Sequence, residues 1–258
     1  MKLLNIDANA KTVKGQKKGY MTAVLYLAPY TASGVNLCPM AEQAGCYEGC
    51  LNTAGRGGIA KDRAVFVTDA GMLPNNAIQH ARIARSELFN NDRDEFMVKL
   101  AKEIKAFIRK AKKKNLVPVV RLNGTSDILW ETIPYDEHAS IMEAFPEIQF
   151  YDYTKVYKRA VRPLPTHYHL SLSYSEANQK YALVTQTVTH QSNINLVVVF
   201  RDELPEEFMG REVINGDESD LRFLDPAGVI VGLKAKGKAR KDSSGFVIDP
   251  NQFVEVAA

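Results

Sequence analysis

The stretch "VPVVRLNGTSD" (residues 117–127) sets the pattern of this chain of 258 residues. A mostly apolar run from Val117 to Leu122 is followed at once by the polar cluster Asn123 to Asp127. An apolar run without regular polar alternation is typical of a strand buried on both faces of a parallel sheet. We therefore interpret it as a parallel strand whose carboxyl end carries polar side chains.

The same pattern recurs along the second half of the chain. Further strands are predicted over residues 148–151, 168–172, 195–200 and 229–233, each followed by polar residues. Earlier strands are predicted over residues 20–28 and 64–68. In parallel α/β folds the functional groups gather at the carboxyl ends of the strands, which is where these polar clusters lie.

Helices are predicted between several of these strands. One begins after Asn75 or Asn76 and ends near Asn90, and a second runs from about Asp92 to Lys114 with apolar residues at three- and four-residue spacing. A third is predicted between residues 135 and 144. The alternation predicts an α/β fold, a complete or partial (β/α) barrel with a cysteine-bearing loop after the first strand. We expect one domain over residues 1–258, with a basic segment at 1–19 and a loosely attached tail at 238–258.

The composition is that of an ordinary globular protein, with 45% hydrophobic and 24% charged residues and a net charge of +3. No apolar run approaches the roughly 20 residues that span a bilayer, and the start of the chain becomes polar too early for a signal peptide. These features predict no membrane partner and a cytoplasmic location, where thiols stay reduced.

The chain has three cysteines, Cys38, Cys46 and Cys50, all within thirteen positions. The spacing Cys-x7-Cys-x3-Cys favours a metal site, and we rank an iron–sulfur cluster, [4Fe–4S] with one open iron or [3Fe–4S], above zinc in a Cys3His site. His167 and His169 are the histidine candidates for zinc. A disulfide with one free thiol is the third alternative, and three ordinary buried cysteines is the fourth.

Polar residues at the strand ends are the candidates for a pocket beside the cysteines. The predicted cofactor-binding side chains are those of Asn123, Thr125, Ser126, Asp127, Ser173 and Ser175. Lys155, Glu176 and Asp127 are candidates for acid–base catalysis. The alternative is structural, since Asn-Gly, Ser, Thr and Asp are natural turn residues and Lys155 with Glu176 would suit a surface salt bridge and a helix cap.

Two further stretches have an anion-binding character. Arg56-Gly57-Gly58 would cradle phosphate through backbone amides or simply cover the cysteine loop. The basic run from Lys99 to Lys114 and the N-terminal lysines would contact nucleic-acid phosphates or form the solvated face of an amphipathic helix.

The chain resembles the phage protein family catalogued as gene product 88. The residues that carry the resemblance are Cys38-Pro39-Met40-Ala41, Gly45-Cys46, Cys50-Leu51, residues 121–127, Trp130-Glu131, residues 152–155, residues 173–176 with Asn178, Asp217 with residues 220–223, and residues 232–237. This resemblance implies a viral origin and the cytosol of a bacterial host. A strand followed by a three-cysteine loop also looks like radical S-adenosylmethionine (SAM) enzymes, which implies SAM at the open iron, although their common spacing is Cys-x3-Cys-x2-Cys.

Together these features lead to two expectations. The first is a phage iron–sulfur protein with its cluster beside a polar pocket at the strand ends, acting as a redox or radical-SAM-like enzyme on a small molecule bound at the open iron. The second is a non-catalytic phage accessory protein with a structural metal site that binds nucleic acid or a host protein.

Overall fold

The computed structural model describes residues 1–7, 9–192 and 194–251. The helices are α1 (Ala10–Gly15), α2 (Ala77–Asn91), α3 (Arg93–Lys113) and α4 (Gln179–Ser192). The strands are β1 (Leu4–Ile6), β2 (Tyr20–Leu25), β3 (Val65–Thr68), β4 (Gly71–Pro74), β5 (Val117–Arg121), β6 (Gln149–Thr154), β7 (Tyr168–Ser173), β8 (Leu196–Phe200), β9 (Glu207–Phe208), β10 (Arg211–Asn215), β11 (Ile230–Lys234) and β12 (Val247–Ile248).

One large, mostly parallel sheet organises the molecule. Its strand order is β1-β2-β5-β6-β7-β8-β11-β10-β9, and all neighbours from β2 to β10 are parallel. The two end strands, β1 and β9, pair antiparallel with their neighbours. The mostly parallel sheet confirms the predicted α/β class. Among the described strands no pairing joins β1 to β9, so the sheet does not close into a barrel.

The two faces of the sheet have different coverings. Phe150 of β6 packs with the apolar face of α3, whose buried residues include Phe96, Leu100 and Ile104. Tyr151, the next residue of β6, points the other way and packs with Leu221 and Phe223 of a later loop. We call these the helical face and the loop face. Because side chains alternate along a strand, residues 151, 153 and 155 belong to the loop face.

The helix signals in the sequence had two different outcomes. Asn76 caps α2 by accepting hydrogen bonds from the amides of Ile78 and Gln79, and Asp92 caps α3 by accepting from Glu95, so both predicted helices are confirmed. The helix predicted over residues 135–144 is wrong, since that segment forms turns and an isolated bridge between Tyr135 and His138. A helix that was not predicted, α4, covers β7 and β8 on the helical face.

The described part of the predicted tail is built into the fold. β7 pairs only with the first residues of β8, and β12 pairs with Val199 and Phe200 at its end. Phe246, just before β12, is buried. Residues 238–251 therefore depart from the expected loose tail because β8 offers them an open edge, and 252–258 lie outside the described residues. No helix in the described ranges is long and apolar enough to cross a bilayer.

Candidate metal centre

The cysteine loop lies over the carboxyl ends of β5 and β7. It follows β2, the second strand in the chain and the first of the parallel ones. The Cys38 thiol is 3.8 Å from the carbonyl oxygen of Thr125, just beyond β5. The hydroxyl of Ser175, beyond β7, donates to the carbonyl of Ala44 at 2.7 Å. These contacts place the three cysteines at the functional edge of a parallel sheet.

Hydrogen-bonded turns hold the loop between the cysteines. Residues 39–49 are turns, and the amide of Cys46 donates to the carbonyl of Ala41 at 3.1 Å. Gly45 has a φ of +61°, and a Cβ there would lie 2.6 Å from the Cβ of Ala177. Only glycine fits this position, because both the backbone conformation and the close approach exclude a side chain. The tight turn thus seats Cys46 against the segment after β7.

The Lys155 ammonium group and the three thiols influence one another electrostatically. This lysine follows β6 on the loop face, with its Nζ 5.8 Å from the centre of the Phe246 ring. Burial lowers its pKa, but negative charge on Cys46, Asp127, Cys38 and Cys50 more than offsets that effect, so the net pKa is raised. All three cysteines are therefore within electrostatic reach of one cation.

Burial raises the pKa of each thiol in the protein without a bound metal. For Cys46 the charge of Lys155 opposes this rise, and for Cys50 the amide of Asn52 and then Lys155 and Arg82 oppose it. The amide of Asn52 lies 3.5 Å from the sulfur of Cys50. An amide donor and nearby cations favour the thiolate, which is the form of cysteine that binds metals. The same groups also stabilise a negatively charged cluster.

The glycines after the cysteines are closely packed against neighbouring backbone. The carbonyl of Gly57 accepts hydrogen bonds from the side-chain amides of Gln79 and Asn76, both at the start of α2. A Cβ at Gly57 would lie 2.5 Å from the carbonyl of Asn52. Arg82 of α2 also donates to that carbonyl at 2.7 Å. This segment therefore packs between Asn52 and the start of α2, and phosphate binding by its amides stays a prediction.

The polar cluster after β5 is held by its own hydrogen bonds. The side-chain oxygen of Asn123 accepts from the Ser126 hydroxyl, the Ile128 amide and the Trp130 indole, at 2.9–3.1 Å. The Thr125 hydroxyl donates to the carbonyl of Leu27 at 2.6 Å. This arrangement is the turn that the structural alternative described. Cofactor binding by these side chains stays a prediction.

Asp127 belongs to a buried charge network that the sequence did not reveal. Its carboxylate accepts from the Thr154 hydroxyl, the Lys155 amide and the guanidinium of Arg159, at 2.8, 2.7 and 3.1 Å. Arg159 is fully buried and also pairs with Glu131 at 2.7 Å. No strand or periodic pattern marks Arg159, which lies in a short 3-10 turn, Tyr157–Val161. Asp127 therefore fixes the backbone that presents Lys155.

Lys155 and Glu176, the two residues expected to act as an acid–base pair, have different partners in the structure. Lys155 faces the thiols, whereas the exposed Glu176 accepts a hydrogen bond from the hydroxyl of Tyr174 at 3.1 Å. Ser175 is taken up by the carbonyls of Ala44 and Gly245. Ser173 is buried at the end of β7, and its carbonyl accepts from Tyr181.

The histidines proposed for a zinc site lie at the wrong end of β7. His167 precedes this strand and hydrogen-bonds to the carbonyl of Met142, whereas the cysteine loop contacts Ser175 beyond its other end. The seven residues from His167 to Ser173 span about 20 Å in an extended strand. Within the described ranges, no three His, Cys, Asp or Glu side chains gather around one point closely enough for a single metal ion.

The comparison with protein families gives one match. The family model of Gene product 88 matches residues 1–250. The chain belongs to the Gene product 88 family. This match confirms the family expected from residues 121–127 and the cysteine motif, and it supports a phage protein. No curated protein and no solved structure matches the chain. The resemblance to radical SAM enzymes gains no support from these comparisons.

Proposed function

We propose that this Gene product 88 family member is an iron–sulfur protein whose Cys38, Cys46 and Cys50 hold a [4Fe–4S] or [3Fe–4S] cluster. The observation that carries the proposal is that the loop with all three thiols docks at the carboxyl edge of the sheet, against Thr125 and Ser175, with Lys155 within electrostatic range. The position of the loop depends on the tight turn at Gly45 and on the hydrogen bond from the Ser175 hydroxyl to the carbonyl of Ala44.

The ligands at hand favour a cluster over zinc in a Cys3His site, because His167 lies at the other end of β7 from the cysteine loop. Tetrahedral zinc with Zn–S bonds of about 2.3 Å requires its sulfur ligands to lie about 3.8 Å apart. In a cluster each thiolate binds a different iron, so the sulfurs stand farther apart. The host cytoplasm expected for a phage protein would keep these thiols reduced.

The charges around the loop suit an anionic cluster. Lys155 is a cation beside all three thiols, and Arg82 lies within electrostatic reach of Cys50. The amide of Asn52 points to the sulfur of Cys50. Cations and amide-to-sulfur hydrogen bonds are the groups that stabilise clusters and set their potentials.

A structural role in a non-catalytic phage accessory protein is the second candidate function. The observation that favours it is the internal use of Asn123, Thr125, Ser126 and Ser175, whose hydrogen bonds stay within the protein. An enzyme that binds a small molecule at an open iron, whether for redox or for radical chemistry with SAM, would need polar groups free to meet that molecule. Lys155 is the side chain in the best position for this.

Anaerobic reconstitution with iron and sulfide tests the cluster. We expect broad absorbance near 400 nm and bound iron with acid-labile sulfide, both lost in Cys38→Ser, Cys46→Ser and Cys50→Ser. Tyr47→Phe is the control, because Tyr47 is in the same loop but is not a predicted ligand, and this variant should load normally. A colourless protein that binds stoichiometric zinc and no iron contradicts the proposal.

Titration of the loaded protein with SAM separates the two functions. A change in the electron paramagnetic resonance spectrum of the reduced cluster supports a ligand at an open iron. An unchanged spectrum supports the structural role.

A further inference from the structure

The carboxyl-terminal half of α3 exposes an unusual concentration of positive charge. Residues 102–114 contain seven exposed cations: Lys102, Lys105, Arg109, Lys110, Lys112, Lys113 and Lys114. The one acid in this stretch, Glu103, accepts hydrogen bonds from the amides of Leu3 and Leu4 at 2.8–3.0 Å. Its charge is therefore directed into the fold and away from the exposed cations.

A second basic segment from a distant part of the sequence meets the end of α3. Lys14, Lys17 and Lys18 are exposed just before β2. Tyr20 pairs with Val117 at the start of the parallel β2–β5 ladder, and the amide of Val117 donates to the carbonyl of Gly19 at 2.8 Å. The lysines before β2 and those at the end of α3 are therefore at the same amino-terminal edge of the sheet.

This combined basic surface, residues 14–18 and 102–114, has a larger net positive charge than the whole chain. The net charge of the chain is only +3, so the remainder of the protein is net negative. Simple solubility does not require such segregation, because evenly spread charges of both signs achieve it. A one-sided basic field is the electrostatic footprint of a protein that binds a polyanion.

The middle of the surface contains a groove of about 290 Å³ next to Tyr135. Lys102, Lys105 and Arg109 line one side, and they recur every three or four residues along one face of α3. Val98 and Ala101 form an apolar part of its wall. The exposed acids Asp136 and Glu137 beside Tyr135 mark its limit on that side.

We propose that the basic surface binds the sugar–phosphate backbone of nucleic acid, with the α3 cations contacting successive phosphates and without sequence specificity. A row of cations on a rigid helix matches the regular charge of a nucleic-acid backbone, and the binding releases condensed counterions. The end of α3 and residues 14–18 are at the amino edge of the sheet, whereas the cysteine loop is at the carboxyl edge, so the inference does not rest on the cluster.

Fluorescence anisotropy with a short mixed-sequence DNA duplex tests the proposal. The wild-type affinity should fall linearly with salt on logarithmic axes. The variant Lys105→Glu/Arg109→Glu/Lys112→Glu should bind at least about tenfold more weakly at low salt, and its slope should decrease by about three because three phosphate contacts are lost.

The matched control is Lys61→Glu/Lys158→Glu/Lys180→Glu, which makes the same charge change at three exposed lysines elsewhere. It should bind DNA within about twofold of the wild type, since no phosphate contact is lost. Circular dichroism and thermal unfolding confirm that both variants are folded. Equal weakening in both variants, or no wild-type binding at low salt, overturns the proposal. Binding to phosphatidylserine vesicles without binding to DNA also overturns it.

Discussion

Lys155 is the residue that distinguishes this loop from three incidental cysteines. Burial lowers the pKa of this half-buried lysine, and the negative charge of Cys46, Asp127, Cys38 and Cys50 more than offsets that effect. The Asp127 carboxylate accepts a hydrogen bond from the Lys155 amide and is itself held by the Arg159 guanidinium. Lysine here would balance the charge of a bound cluster.

Substitution of Lys155 should therefore change the reduction potential of the reconstituted cluster. A nearby cation favours the more negative, reduced form, so Lys155→Met should lower the potential by an amount on the order of tens of millivolts. Protein-film voltammetry measures the shift. Lys158→Met, at an exposed lysine, is the control and should leave the potential unchanged. Equal potentials in both variants and the wild type would show that Lys155 does not face the cluster.

Asp152 predicts a pH dependence of stability. Burial raises its pKa to about 7, although Arg121 and the amide of Asn123 oppose the rise. The carboxyl group of Asp152 therefore loses its proton at a higher pH in the folded state than in the unfolded chain. The free energy of unfolding should decrease as the pH rises from about 4 to 7, with a slope of at most about 1.4 kcal/mol per pH unit from this group.

Asp152→Asn is the variant that isolates this effect. Asparagine can still accept the hydrogen bond from the Asn123 amide, but it does not titrate. Urea unfolding across pH 4–8 should show a flatter profile for the variant than for the wild type. Parallel profiles would mean that the carboxyl group is ionised in the folded protein throughout this range.

The sequence predicted that polar residues follow the parallel strands but not what each side chain does. The position of Asn123 and Asp127 after a parallel strand follows from the apolar run before them. Their partners do not, because Arg159 and Trp130 reach them from separate turns. A binding cluster and a self-contained hydrogen-bond network have the same residue types, so composition alone cannot separate them.

At the scale of single elements, the turn at Gly45 controls how the cysteine loop docks. Gly45→Ala should destabilise the protein by more than the roughly 1 kcal/mol cost of a left-handed residue, because the new Cβ would also collide with Ala177 and Ser244. It should also reduce cluster loading. Urea denaturation and iron content measure the two effects.

Gly34→Ala is the matched control for that experiment. Gly34 also has a positive φ, +78°, but nothing lies within 4 Å of its Cβ position. It should show only the backbone cost, about 1 kcal/mol, and load normally. Equal destabilisation in the two variants would mean that the close packing of the loop against Ala177 does not exist.

Helix prediction succeeded where capping and periodicity agreed and failed where they did not. α3 has a capping Asp92 and a regular apolar face. α4 contains Thr185, Thr187 and Thr189, whose hydroxyls hydrogen-bond back to carbonyls of the preceding turn. Such residues favour caps and strands, so the tertiary contacts with β7 and β8 hold this helix against its local preference.

At the scale of the whole molecule, the parallel sheet explains why two different surfaces are at opposite edges. The carboxyl ends of the strands bring the cysteine loop together with Thr125 and Ser175, whereas the amino ends bring the lysines of residues 14–18 to the end of α3. The mostly parallel pairing of the sheet could be expected from the near-continuous apolar strands. Barrel closure could not, because it depends on strand tilt and register that the hydrophobic pattern does not encode.

The central claim is that three thiols hold a multi-iron cluster. Mössbauer spectroscopy of the protein reconstituted anaerobically with ⁵⁷Fe and sulfide tests it most directly. We predict the spectrum of a three- or four-iron cluster that is absent from the Cys38→Ser/Cys46→Ser/Cys50→Ser variant and present in Tyr47→Phe. A spectrum of isolated mononuclear iron, or no bound iron in the wild-type protein, would contradict the account.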